Sequence, residues 1–256
     1  MFEIYIKGEE SISISSTDSI LKKVLHRSGE RGKAEHGWLH SRHSFSFAYY
    51  FNPEKMGFGL LRVLNDDIVE PGTGFGTHAH DNMEIISIVL DGALEHKDSM
   101  GSISVIYKDE VQVMSAGTGI THSEYNHSKT DKVNFLQLWI IPKERDIEPR
   151  YDQRSFLDEG RNNRLINIVS GDRKKDALYI HQNSEIDLGK LEKGKSILRK
   201  LSFSGNGFYI FVLEGEIELA GEKLSSRDAI GVWETDEIAI TATTGSKFIL
   251  IEVPMN

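Results

Sequence analysis

Short apolar segments rich in Val, Ile, Phe and Tyr recur along the chain, separated by clusters of Gly, Asp and Ser. They include residues 59–64 (GLLRVL), 84–90 (EIISIVL), 102–107 (SISVIY), 133–141 (VNFLQLWII), 208–219 (FYIFVLEGEIEL) and 247–253 (KFILIEV). Segments this short, rich in β-branched and aromatic residues and bounded by turn formers, predict β-strands. Asp91-Gly92 between two of them is a two-residue hairpin signal. Helical spacing is confined to a turn near residues 157–161. Several segments are apolar on both faces, which suits a sandwich or closed barrel rather than a one-sided sheet. The expected fold class is all-β.

With 256 residues, the chain has room for one large or two small domains. It has no cysteine, which removes disulfides, thiolate zinc sites and cysteine nucleophiles and fits a reducing compartment. The formal charge of −9 opposes general binding to a phosphate backbone. The opening MFEIYIKGEE carries acids early and lacks the apolar core of a signal peptide. No apolar run approaches the roughly 20 residues needed to span a bilayer. These features predict a cytoplasmic protein with no membrane and no direct nucleic-acid partner.

Pro142 and Pro149 bracket a charged stretch, PKERDIEP, that suits a solvated linker. A weak internal repeat supports a division there. Residues 89–95 (VLDGALE) match 212–218 (VLEGEIE) at an offset of 123, and 109–114 (DEVQVM) match 228–233 (DAIGVW) at an offset of 119. Two related β-domains, 1–145 and 146–256, are expected.

The chemistry concentrates in two short motifs. His78-Ala79-His80 ends GTGFGTHAH, and His122-Ser123-Glu124 lies in GTGITHSEYN. Residues i and i+2 of a strand share a face, so each pair aims two ligands at one point. Two neighbouring strands then supply four: His78, His80, His122 and Glu124. A single His-x-His in a β-protein is commonly incidental; two matched pairs, each after a glycine-rich turn, point to a metal. Imidazole with carboxylate suits Fe, Mn, Co, Ni, Cu or Zn. On a six-coordinate ion, four protein ligands leave two positions for substrate or dioxygen. The repeat offsets put Leu201, Phe203, Thr241 and Thr243 at the corresponding places, so one site per chain is expected.

This pattern resembles the cupin superfamily. Its first motif runs from Gly72 through His78 and His80 to Glu84, and its second from Gly119 through His122 to Asn126. Within the cupins, HGWLHSRHSFSF, MGFGLLRVLNDD, GFGTHAHDNMEI, LEHKDSMG and VQVMSAGTGITHSEYN resemble pirin blocks over roughly residues 30–155. The C-terminal half resembles pirins more loosely, and the first 25 or so residues look like an extension. The resemblance implies a bicupin, with an N-terminal metal-binding cupin and a C-terminal cupin-like domain lacking ligands. It assigns ligation to His78, His80, His122 and Glu124. Most other cupins use a carboxylate at the position of Glu84, which shares strand parity with His80. Spacing alone leaves Glu84 open, and the resemblance makes it a pocket or hydrogen-bonding residue. Ala79 stands where proline is common, and His40 where aspartate is common.

Other residues carry weaker signals. Phe45, Phe47 and Tyr49 alternate as one aromatic strand face, serving either the core or the wall of an aromatic-substrate pocket. His43 beside them is structural or faces the site. His96 and His127 flank the motifs as surface or outer-shell groups, and Asn126 is placed to orient a ligand.

The resemblance implies two functions. Bacterial pirins are known as quercetin 2,3-dioxygenases, which open the flavonol heterocycle and release carbon monoxide. For such an enzyme Fe(II) is the expected metal, a flavonol and dioxygen are the partners, and Glu124 is the base for the 3-hydroxyl proton. Eukaryotic pirins are iron-binding transcriptional co-regulators, so the alternative is a regulatory protein acting through a protein partner. A metal-bound cupin isomerase lacks an additional acid–base pair.

Overall fold

A computed structural model describes residues 21–156 and 162–256. The turn expected near 157–161 lies outside the described residues, as do the first 20 residues of the expected extension. The described residues form 22 strands in four sheets, with a single 3-10 turn at Ser28–Glu30 and no α-helix. No helix is long and apolar enough to cross a membrane among them.

The first seven-stranded sheet has the order Arg150–Ser155, Glu110–Ser115, Glu84–Asp91, Val133–Ile140, Leu61–Val69, Leu39–His43, Gly32–Glu35. A four-stranded sheet packs against it, ordered Gly74–His80, Ile120–Asn126, Ala93–Asp98, Ile103–Tyr107. Leu39, Val69, Val89, Leu94, Ile106, Val133 and Phe135 fill the space between them. A second pair of sheets repeats this plan around Phe208, Ile210, Val212, Phe248 and Leu250. The architecture is the expected all-β bicupin.

Strands apolar on both faces now have a reason. Phe135 points into the first barrel, while Leu136, Leu138 and Ile140 point to a layer shared with Tyr209, Ile249, Ile251 and Val253 of the second. Successive side chains leave a strand on opposite faces, so a strand that lines a barrel and also backs onto its neighbour reads apolar throughout. Fully burying one such side chain contributes about 1.5–3 kcal/mol. Tyr209 is fully buried in this layer, and its hydroxyl lies 2.9 Å from Nδ1 of His26.

Two strands cross the division expected at 145/146. Lys22–His26 pairs antiparallel with Ala229–Trp233 in the second large sheet, and Arg150–Ser155 pairs with Glu110–Ser115 in the first. The segment from Pro142 to Pro149 lies outside strands, but it is stitched to the loops that carry the motifs. The Ile147 carbonyl accepts from Thr118 N (2.9 Å), and Asp146 N donates to Asn82 Oδ1 (2.7 Å).

Candidate metal centre

Gly74–His80 and Ile120–Asn126 are antiparallel neighbours, and His78 faces His122 directly across them. The register shifts between His122 and Glu124, where Phe75 faces Glu124. Such a bulge re-aims side chains and commonly borders functional sites. Glycine permits the close approach here, because a Cβ on Gly74 would collide with the Glu124 carbonyl oxygen.

Three histidines converge. His78 Nε2 lies 3.0 Å from His122 Nε2, and the His80 ring centroid is 4.9 Å from that of His122. Their ligand atoms all lie within 4.8 Å of one another. A second such group, His96, His122 and Glu124, shares His122. His122 thus belongs to both groups, and Glu124 lies deeper, with His96 rather than with His78 and His80. Exposure follows that depth: His78 and His80 are partly exposed, while His122 and Glu124 are 1% and 2% exposed. His80 borders a shallow depression of about 400 Å³ with Ser99, Thr118, Gly119 and Ile120, giving the cluster a route to solvent.

The donors fit a divalent transition metal. His78 Nδ1 donates to the Gly76 carbonyl at 2.8 Å, which leaves its Nε2 lone pair free. Burial, reinforced by the neighbouring imidazoles, lowers the pKa of His122 to about 3 and of His80 to about 4. Neutral imidazoles are the ligating form. Two nitrogens each about 2.1 Å from one ion, at right angles about it, stand about 3 Å apart. That is the His78–His122 separation.

Glu124 is held from behind. Gln137 Nε2 donates to its Oε2 at 2.9 Å, and Ser87 Oγ lies 3.3 Å from its Oε1 and 2.9 Å from Gln137 Oε1. Gln137 and Ser87 are cross-strand partners in the large sheet. Sequence reasoning missed both. The signal was present: each is a polar residue flanked on both sides by apolar ones, Leu136 and Leu138 about Gln137 and Ile86 and Ile88 about Ser87. Trp139 was missed too; its ring meets His80 edge-on at 4.9 Å and Phe47 at 5.3 Å.

Several expectations need correction. Glu84 lies on the far face of its sheet, bonded to Ser115 Oγ (2.8 Å) and 3.5 Å from His181 Nδ1. Burial raises its pKa to about 7. The parity count from His80 fails because Asp81, Asn82 and Met83 lie outside strands, and the chain passes there from one sheet to another. The aromatic run is not one strand face, since the strand ends at His43. Phe45 packs on Tyr209 in the shared layer, Phe47 on Trp139, and Tyr49 is 98% exposed beyond a tight turn with Ala48 at φ 50°. His43 packs against Phe47 and Tyr50. Of the two places open to His96 and His127, His96 takes the inner one, fully buried beside His122, and His127 the outer one, paired with Glu95 at the surface. Asn126 holds the following loop through Val69 O, Asp131 O and Ser128 N rather than touching a ligand.

The repeat register also shifts. Leu94 faces Asn126, while its repeat partner Ile217 faces Ala242. Counting back along each strand puts Ile238 and Ile240, both buried, where His122 and Glu124 stand. Ile238 faces Arg199 as His122 faces His78. The second barrel therefore presents Arg199, Leu201, Ile238 and Ile240, not Leu201, Phe203, Thr241 and Thr243. Arg199 is ion-paired to Glu185, Asp187 and Glu252.

Comparison with known proteins gives a consistent picture. A family model described as Pirin matches residues 24–140, and one described as the quercetinase C-terminal cupin domain matches residues 167–253. Quercetin 2,3-dioxygenase of Escherichia coli K12 is 43% identical over 230 residues, covering 90% of this chain and 98% of its own. A pirin-like protein of Caulobacter vibrioides is 37% identical over 222 residues, covering 86% and 95%. The crystal structure of bacterial pirin YhhW from Escherichia coli in complex with nickel(II) is 41% identical, with a TM-score of 0.86 over 91% of this chain and 99% of that one.

Proposed function

The chain belongs to the pirin family, and from that membership we propose that it is a metal-dependent dioxygenase opening the heterocycle of flavonols such as quercetin with release of carbon monoxide. The observation that carries this reading is a buried carboxylate, Glu124, set beneath a cluster of three imidazoles that opens to solvent at His80. His78, His80, His122 and Glu124 are the proposed ligands, and Fe(II) is the proposed physiological metal. When bound, the metal supplies Lewis acidity and a template for flavonol and dioxygen.

The chain's own residues do the rest. Glu124 accepts the flavonol 3-hydroxyl proton. Gln137 and Ser87 hold its carboxylate in one orientation, which keeps the acceptor oxygen aimed rather than mobile. Trp139, edge-on to His80, and Phe47, edge-on to Trp139, offer an apolar wall for a flat aromatic substrate. The division of labour follows the repeat: the barrel built chiefly from residues 1–145 carries the metal, and the one built chiefly from 146–256 does not. The protein acts in the cytoplasm.

The test is oxygen uptake and carbon monoxide release from quercetin by fully iron-loaded protein in a single turnover. Both are expected above free iron in buffer. If neither appears, the enzymatic reading fails and the regulatory one, acting through a protein partner, takes its place.

A further inference from the structure

We infer that His96 and Asp98 form a positioning pair that fixes the His122 imidazole in the tautomer whose Nε2 lone pair faces His78 and His80. The inference rests on the metal reading proposed above. Both side chains of the pair are fully buried. Asp98 is anchored first: its Oδ1 accepts from Met100 N at 2.9 Å and Ser102 N at 3.0 Å. Its Oδ2 lies 3.1 Å from His96 Nε2. An ionised carboxylate only accepts, so the proton of the His96 ring sits on Nε2. In the neutral form of that ring the other nitrogen, Nδ1, is the acceptor, and it faces His122 Nδ1 at 3.5 Å. The proton on His122 is drawn to Nδ1, and its Nε2 is left free, 3.0 Å from His78 Nε2.

Strand register makes the chain of contacts possible. Ile120–Asn126 pairs with Ala93–Asp98 so that His122 faces Asp98 and Glu124 faces His96. Tyr151 stacks on the His96 ring at 4.7 Å and 30°, and its hydroxyl donates to Gln153 at 2.8 Å, which clamps the ring plane. A buried carboxylate–imidazole pair is expensive unless its polar atoms are all used. Here the last unused atom of the pair points at the candidate ligand. Histidine ligands are commonly oriented by such partners.

The test compares wild type, His96→Phe and His96→Gln. Phenylalanine keeps the ring and its stacking but has no nitrogen; glutamine can still donate to Asp98 and accept from His122. Ni(II) titration by calorimetry should show affinity falling about 10–100-fold in His96→Phe and largely restored in His96→Gln. Nitrogen-15 NMR of the metal-free wild type should show His122 protonated at Nδ1, with both tautomers in His96→Phe. A role in packing alone would lower stability without moving that signature. The inference is overturned if His96→Phe binds Ni(II) like wild type, or if wild-type His122 is protonated at Nε2. The wild-type tautomer decides the matter even if His96→Phe fails to fold. Wild type that binds no Ni(II) sinks the metal reading instead, a distinct outcome.

Discussion

Gln137→Leu isolates what supports Glu124. Leucine nearly matches glutamine in volume, so the core between the sheets stays filled while one donor disappears. The lost bond is short (2.9 Å), buried and made to a carboxylate, a class worth about 1.5–3 kcal/mol. Ser87 loses an acceptor at the same time, and its single hydroxyl proton is free to turn from Gln137 to Glu124. That compensation sets the estimate at the lower half of the range, about 1.5–2 kcal/mol. At about 2–4 °C per kcal/mol for a protein of this size, the metal-free variant should melt about 3–8 °C below wild type. The double variant Gln137→Leu, Ser87→Ala should fall further than the single losses added together, because neither group can then cover for the other. Urea unfolding of metal-free protein measures the first quantity, and Ni(II) calorimetry shows whether a loosened Glu124 also weakens binding. A Gln137→Leu protein within about 0.5 kcal/mol of wild type, with additive double-variant losses, would refute the support assigned to Gln137.

Other consequences can be checked in the same preparations. His80→Ala or His122→Ala should lose most bound metal by elemental analysis, while His181→Ala, across the sheet from the histidine cluster, should keep it. Glu124→Gln should lose quercetin turnover more completely than it loses metal, because the amide cannot take the 3-hydroxyl proton. His43, lowered to about 4 by burial and by the nearby Arg31 and Arg42, stays neutral in the fold and charges more readily in the unfolded chain. Its contribution is present above the ordinary value of 6.5 and is lost as pH falls toward 4. The stability of wild type relative to His43→Phe should therefore decline across that window in urea titrations. Protease nicking between residues 142 and 149 should leave one co-eluting particle in size-exclusion chromatography, because strands cross that point in both directions.

The strands were legible because apolar runs and turn residues report local preferences, and the two motif pairs because strand parity survives within a strand. Parity does not survive a loop. Glu84 and His80 share an even spacing, yet Asn82 at φ 45° redirects the chain and the two side chains finish on different sheets. The aromatic run failed for the same reason, since the chain leaves the strand after His43. Spacing left His96 between surface and outer shell because its neighbours in sequence, Glu95 and Lys97, are polar and face out. Only the pairing with Ile120–Asn126 shows that its own face is the barrel interior. Partners brought in by register leave no trace in local spacing.

The crossing strands also set an order on synthesis. Among the described residues, the strands of the histidine-bearing barrel all lie between Gly32 and Ser155, so its sheets can close once that stretch has left the ribosome. Lys22–His26 is made earlier still, yet its partner Ala229–Trp233 emerges about 200 residues later. At about 5–20 residues per second, that strand waits about 10–40 s with its pairing edge open. For the roughly 100 residues between Ser155 and the final strand Ser246–Pro254, about 5–20 s at that pace, the apolar back of the first large sheet, Leu136, Leu138 and Ile140 among others, has no complete second barrel to cover it. The nascent chain thus passes through a stage with its candidate ligands assembled and its stickiest surface bare, a stage at which a chaperone or a metal ion meets a half-finished protein.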